Sequence, residues 1–475
     1  MRSGRHVNPS QREADAISSL EEEDGSVKVE RSISESASRE VGSTDLTVDT
    51  DTRSGIHPAR IRDSFSGMTF REVLSFFGPG FLISVAYMDP GNWATNISGG
   101  AEFGSALLWV IIAASLLAMG IQVVAAKLGI ATGKDVATLC RERLSRPVVI
   151  MLWIAAELAM IATDMAEIIG AAIGFSLVFG LPLWAGGILA AISSFALLGI
   201  RTAHHHGYRV VEYVIMSLVG VVSLAFIFEM VLARPTVEVI AQGLIPSIPD
   251  QRALYVAIGI LGATIMPHSV YLHSTLVQER RRKLMHTMGD TERAHRRHFH
   301  LESLDTISAL FAAMFVNAAM LIVAAAALMG TGISTLEEAY ITLQHVFGTH
   351  SSLAFGIALI AAGLSSSLVA TMAGQTVMDG FLNLRISVWL RRSATLIPSL
   401  IIVLIGFEPT GVLVASQVVL SFELPFVLIP LLIFTRDKQI MGAFRNRVST
   451  DWVLGAAVGF ITLLNAWLIY SSFFS

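Results

Sequence analysis

The chain has 475 residues, of which 53% are hydrophobic and 15% charged, and its mean hydropathy of +0.64 lies far from the balance of a soluble globular domain. One cysteine, Cys140, excludes an intramolecular disulfide framework and any Cys-rich metal centre; the net charge of −4 says little, and nucleic-acid binding has no support beyond a basic stretch at 280–297 that an inside loop explains. These numbers describe a polytopic membrane protein.

Residues 1–71 are polar, with Glu21-Glu22-Glu23-Asp24 and a Ser-rich stretch from Ser32 to Ser38, and lack helical apolar periodicity. They are expected to form a disordered tail, and they contain no apolar region of a secretory signal. Residues 72–475 form the expected transmembrane domain. A hydrocarbon core of roughly 30 Å needs about 20 apolar residues per helix. Eleven such spans are expected, at about 74–100, 105–128, 148–178, 183–200, 210–233, 253–278, 304–329, 352–380, 393–407, 411–434 and 452–473. Of the 33 Lys and Arg, all but Arg234 and Arg252 then fall on the side of the tail. The positive-inside rule therefore puts the N-terminus in the cytoplasm and the C-terminus outside.

Two polar breaks interrupt this pattern. Asp89-Pro90-Gly91-Asn92 lies within the first span and Met266-Pro267-His268 within the sixth. Five spans separate them, so their two halves cross the membrane in opposite senses, as in an inverted repeat (about 74–233 and 253–434, with 452–473 extra). Broken helix at that depth is tolerated only where it is buried in protein or lines a cavity. Pro90 and Gly91 also fit a simple kink, whereas Asp89 does not: a carboxylate at the bilayer centre costs about 2.5–3.5 kcal/mol on insertion scales and needs a partner or a task. Pro267 has no N–H for the carbonyl of Ala263. Oxygens from Asp89, Asn92 and Ala263 with the sulfur of Met266 make a mixed hard and soft set, which favours Mn²⁺, Fe²⁺, Co²⁺ or Cd²⁺ over Ca²⁺ and Mg²⁺.

The third span carries Glu157, Asp164 and Glu167 on one helical face. They read either as buried acids paired with Arg391 and Arg392 or as a proton path, and both hold together. His268 titrates near neutral pH as a free side chain, although a lone membrane histidine is also a common helix contact. The run His204-His205-His206 reads as a solvated loop. Glu212, Asp379 and Glu408 sit near span ends, and Glu423 lies inside the tenth span. No phosphate-binding loop is present, so neither ATP-driven transport nor enzymatic chemistry is expected.

The stretches Tyr87-Met88-Asp89-Pro90-Gly91-Asn92-Trp93-Ala94-Thr95 and Gly262-Ala263-Thr264-Ile265-Met266-Pro267-His268-Ser269-Val270-Tyr271-Leu272-His273-Ser274 closely resemble the Nramp family of proton-coupled divalent-metal transporters, in its bacterial manganese branch. Ala126-Lys127-Leu128-Gly129-Ile130, Ala162-Thr163-Asp164-Met165-Ala166-Glu167, Ala373-Gly374-Gln375 and Ser416-Gln417-Val418-Val419-Leu420 extend the likeness through the membrane part. The resemblance implies a LeuT-type 5+5 inverted repeat with an eleventh helix, helices one and six discontinuous, working by alternating access in a bacterial inner membrane. It implies metal ligands at Asp89, Asn92, Met266 and the Ala263 carbonyl, joined in some conformations by Gln417 and the Ala86 carbonyl. It also implies a proton route through Asp89, His268, Glu157, Asp164, Glu167, Arg391 and Arg392, with His273 a further match. The metal ion and the proton are then substrates, and no cofactor is expected. Glu423 stands where relatives commonly carry a neutral residue.

Overall fold

The computed structural model describes residues 78–203, 207–288, 291–333 and 335–474, which are helical with no strand among them. The tail, the start of the first span and the His204-His205-His206 run lie outside the described residues.

The first span is two helices, α1 (Pro79–Ala86) and α2 (Pro90–Phe103). It is followed by α3 (Leu108–Thr132), the short α4 (Val136–Arg143), α5 (Arg146–Phe179), α6 (Leu183–Ala203), α7 (Gly207–Ala233) and the short α8 (Val237–Gly243). The sixth span is also split, into α9 (Gln251–Ile265) and α10 (Pro267–Met288). Then come α11 (Glu292–Leu328), α12 (Leu336–Phe347), α13 (Thr349–Leu382), α14 (Val388–Ile405), α15 (Pro409–Arg436), the short α16 (Lys438–Met441) and α17 (Val448–Phe474). Nine apolar helical stretches among the described residues are long enough to cross a membrane, with Pro90–Thr132 and Gln251–Arg282 each counted as one, and Leu183–Gly199 is a shorter apolar helix. Separating α2 from α3 and including α6 recovers the eleven expected spans.

Caps and breakers set the helix ends more than polarity does. Asp89 caps α2 by accepting from the Asn92 N–H at 2.9 Å, with Pro90 in the first helical position, where its missing N–H removes no bond. Asp250 caps α9 in the same way, and Gly133, Gly180 and Gly406 close α3, α5 and α14 in the left-handed region. The seventh span, α11, begins at Glu292 rather than at 304, because Thr291 caps it and a Glu292–Arg296 ion pair supports its polar first turns. The sixth likewise runs past 278 to Met288, since nothing in its basic tail breaks a helix.

The helices sort into two groups. α1, α2, α3, α9, α10 and α11 pack on one another, and α5 packs along α6, α13 and α14, while α15 touches both groups. Each group draws on both sequence halves, as the inverted repeat requires. Lys and Arg gather at the end of the bundle holding α4 and the tails of α10 and α15, called here the basic end.

Candidate metal site and buried acid network

The first break places Asp89, only 1% exposed, at the start of α2, and the second places Met266, fully buried, at the end of α9. Met266 has φ 47° and ψ 91°, a left-handed backbone that a side chain adopts only under constraint. Asn92 joins the two breaks: its Nδ2 donates to Asp89 Oδ1 at 2.7 Å and to the Ala263 carbonyl at 3.0 Å. Thus the carbonyl that Pro267 leaves without a helical partner accepts from a side chain of the other broken helix. Gln417 of α15 completes the wall by lying against Gly91, where a side chain on residue 91 would collide with the amide. The Ala86 carbonyl accepts from the Asp89 N–H at 3.3 Å, one of three tightened bonds that end α1.

Three oxygens of this cluster, Asp89 Oδ2, Asn92 Oδ1 and Gln417 Oε1, are buried without a hydrogen-bond partner. Each unpartnered buried oxygen costs about 1–3 kcal/mol, a cost that a positive ligand touching all three would offset. No group of three His, Cys, Asp or Glu suited to a metal occurs among the described residues. The donor set is one carboxylate with amide and carbonyl oxygens and a thioether nearby.

The acids of the third span lie where the helical face puts them, and each has a basic partner. Glu157 accepts from Arg391 at 3.1 Å, Asp164 from Arg392 at 2.5 Å, and Glu167 lies 3.8 Å from Arg392. Ser194 and Ser367 hold the rest of the Arg392 guanidinium. Gly374 is required by Arg391, whose guanidinium lies across the space a side chain would fill. One turn past Glu167, Gly170 packs directly on Pro90, so the acidic face abuts the first break, and Glu167 and Asp89 are close enough for their charges to interact. His268, 2% exposed, does not bond to an acid; its nearest polar partner is Thr163 Oγ1 at 3.4 Å, with Asp164 in electrostatic range. At the basic end, Arg391, Asp135, Asp379 and Gln375 help line a cavity of about 430 Å³. Asp135 caps α4 there, and burial pushes its carboxyl above the usual range.

A second polar chain runs from the other break. The Tyr87 hydroxyl donates to the Ile265 carbonyl at 3.4 Å and accepts from Gln122 at 2.9 Å; Gln122 meets His273 at 3.0 Å, and His273 meets Glu302 at 3.3 Å. Arg280 stands 3.7 Å from Glu302, and Asp305 accepts from the Gly78 and Gly80 N–H groups at 3.0 Å. Apart from His273, sequence reasoning missed this chain. Glu302 falls in a loop if the seventh span starts at 304, but an amide inside an apolar span, as at Gln122, was a usable signal. Glu423 of α15 accepts from Tyr271 of α10 at 3.3 Å. Glu408 caps α15 through the Thr410 N–H, and Asp379 lies at the end of α13 near Arg385, so both serve helix ends.

Comparison with known proteins agrees with this architecture. Two relatives named divalent metal cation transporter MntH are similar over most of the chain. That of Klebsiella pneumoniae subsp. pneumoniae is 43% identical over 87% of this chain and 98% of its own, and that of Yersinia pestis is 45% identical over 84% and 95%. The crystal structure of the Eremococcus coleocola manganese transporter, in complex with an aromatic bis-isothiourea substituted compound, superposes with a TM-score of 0.76 at 33% identity, covering 85% of this chain and 88% of that one. MHP1, a nucleobase-cation-symport-1 family transporter, shares the LeuT-type fold alone, at 15% identity and a TM-score of 0.55 over 83% of this chain and 93% of its own. The family model described as natural resistance-associated macrophage protein-like, Nramp, matches residues 80–471, and the chain is a member of that family of membrane transporters.

Proposed function

We propose that this protein imports Mn²⁺, and with it Fe²⁺, Co²⁺ and Cd²⁺, together with protons, by alternating access across a bacterial inner membrane. The observation that carries the reading is the cluster of unpartnered oxygens on Asp89, Asn92 and Gln417 beside the Ala263 carbonyl and Met266. The printed names of the relatives, divalent metal cation transporters and a manganese transporter, support the class of cargo.

In this reading the Asn92 amide hydrogens, shared between Asp89 and Ala263, stand in for the positive charge of a cation. As metal arrives, the Asn92 amide turns to present Oδ1, releasing Asp89 and Ala263 to coordinate, while Met266 supplies a soft ligand. Asp89, relieved of its proton by the metal, passes it toward Glu167, Asp164 and Arg392, and Glu157 and Arg391 carry it on to the cavity at the basic end. His268, beside Thr163 and within electrostatic range of Asp164, adjoins this route. The basic end faces the cytoplasm, with the N-terminus inside and the C-terminus outside. The breaks between α1 and α2 and between α9 and α10 let the halves of each span move separately within the transporter domain of residues 72–475.

The test is uptake into proteoliposomes with a panel of divalent ions and an internal pH dye. Mn²⁺ uptake accompanied by lumenal acidification is expected, and Asp89→Ala abolishes both. Uptake unchanged in Asp89→Ala overturns the site, and metal uptake without any pH change overturns proton coupling.

A further inference from the structure

Among the described residues two buried acids, Glu423 and Glu229, take no part in either polar chain, and of the two only Glu229 has neither oxygen bonded. Glu229 of α7 is 1% exposed, and both of its carboxylate oxygens lack a hydrogen-bond partner. An aromatic trio beside Asn92 shows where on the bundle this stretch of α7 lies. Trp93, directly after Asn92, packs edge-on against Phe226 of α7 at 4.7 Å and against Phe355 of α13 at 5.2 Å. Glu229 is three residues beyond Phe226, about 4.5 Å further from the basic end on the same helix face. Ser351, one turn from Phe355 and likewise further from the basic end, also buries its hydroxyl without a partner.

Among the described residues no charge compensates Glu229. α7 packs against α13, α11, α6 and α1. The charged residues of α11 lie between Glu292 and Asp305, in its other half, and α1 has none, nor has α6 among its described side chains. Other charged or titratable groups toward this end are Glu102, paired with Arg252 at 3.1 Å, Glu238 of α8, Asp250 and Glu408 at the starts of α9 and α15, Glu337, Glu338 and His345 of α12, His350 of α13, and the exposed Arg234 just past α7. None forms an ion pair with Glu229.

A carboxylate so placed is several kcal/mol too costly to keep ionised. A divalent metal is an unsuitable ligand, because it takes several oxygens and here a single carboxylate has at most a hydroxyl for company. We propose that Glu229 is a proton-binding site on the outer side of the metal site, holding a proton whenever the outer half is closed over it and releasing it to water when that half opens. The inference rests on the transport reading above. Closing the outer half then requires a proton at Glu229, so uptake falls as outside pH rises through the range where the hydrated acid ionises. Glu229→Gln closes without that proton.

The full chain in proteoliposomes tests this, with initial Mn²⁺ uptake measured against outside pH at fixed inside pH. Glu229→Gln is expected to match the parent in acid and to move the alkaline limb upward by about one pH unit or more, whereas Glu229→Asp follows the parent. A Glu229→Gln profile superimposable on the parent's overturns the proposal while leaving metal transport standing; a parent that moves no metal strikes the transport reading instead. A site that closes on a neutral side chain must tolerate neutral replacements. Failure of both Glu229→Gln and Glu229→Leu to elute as folded protein on gel filtration therefore also overturns it.

Discussion

Met266 holds its left-handed backbone, at a cost of about 1–3 kcal/mol, because α9 packs tightly up to Gly262 and Pro267 restarts the helix immediately after it. A thioether at a strained, fully buried break is an expensive way to fill a core that Leu would fill as well, and its softness is the better account of it. Met266→Ala is accordingly expected to keep most Mn²⁺ uptake but to lose exclusion of Ca²⁺ and Mg²⁺, measured by competition in the uptake assay. Exclusion unchanged in that variant would sink the thioether argument. Asp89 and Asn92 stand out in the sequence because their polarity is wrong for their depth, and Met266 only because Pro267 follows it. Gln417 and the Ala86 carbonyl do not, since an amide in an apolar helix and a helix carbonyl look ordinary until a neighbour is known; they came with the family resemblance. Glu229 escaped because it stands four residues from the end of α7, where charge is usually cheap, and only packing reveals that it is sealed.

At the scale of helices, the breaks depend on one missing N–H more than on flexibility. Pro267 frees the Ala263 carbonyl, and Asn92 takes it at 3.0 Å. Pro267→Ala restores an N–H four residues after Ala263, so the helix can close through Met266 and withdraw that carbonyl from the site. The expected outcome is a folded protein, with a melting temperature no lower than the parent's, whose Mn²⁺ uptake falls by about tenfold, as loss of roughly 1.4 kcal/mol of binding would give. Uptake at the parent level would mean that Ala263 contributes no ligand. The buried pairs across α5 and α14 behave differently. Removing Arg392 leaves Asp164 and Glu167 uncompensated, a cost of about 3–5 kcal/mol. The eleven spans were readable because a long apolar run has few other uses. Their ends were not, because a polar run such as 292–303 continues a helix whenever a cap like Thr291 starts it, and with that start went the reading of Glu302 and Asp305.

For the whole molecule, the asymmetry of charge makes a claim about orientation that one cysteine allows to be tested cleanly. His350 lies at the start of α13, exposed, at the end away from the basic cluster, and Arg385 lies exposed just beyond the other end of the same helix. If the basic end is cytoplasmic, a membrane-impermeant thiol reagent on intact cells labels a cysteine at 350 and leaves one at 385 untouched until the membrane is permeabilised. The native thiol contributes no background in either state. Cys140 is fully buried in α4, and burial, aided by the nearby Asp135 charge, pushes its thiol up to about 12, so almost none is present as the reactive thiolate at neutral pH. Both changes are at exposed positions away from the metal cluster, and uptake by each variant should match the parent. Labelling of position 385 in intact cells with 350 protected would invert the molecule. It would turn the cavity beside Arg391 into an outer vestibule, and Glu229, on the far side of the aromatic trio, would then face the cytoplasm.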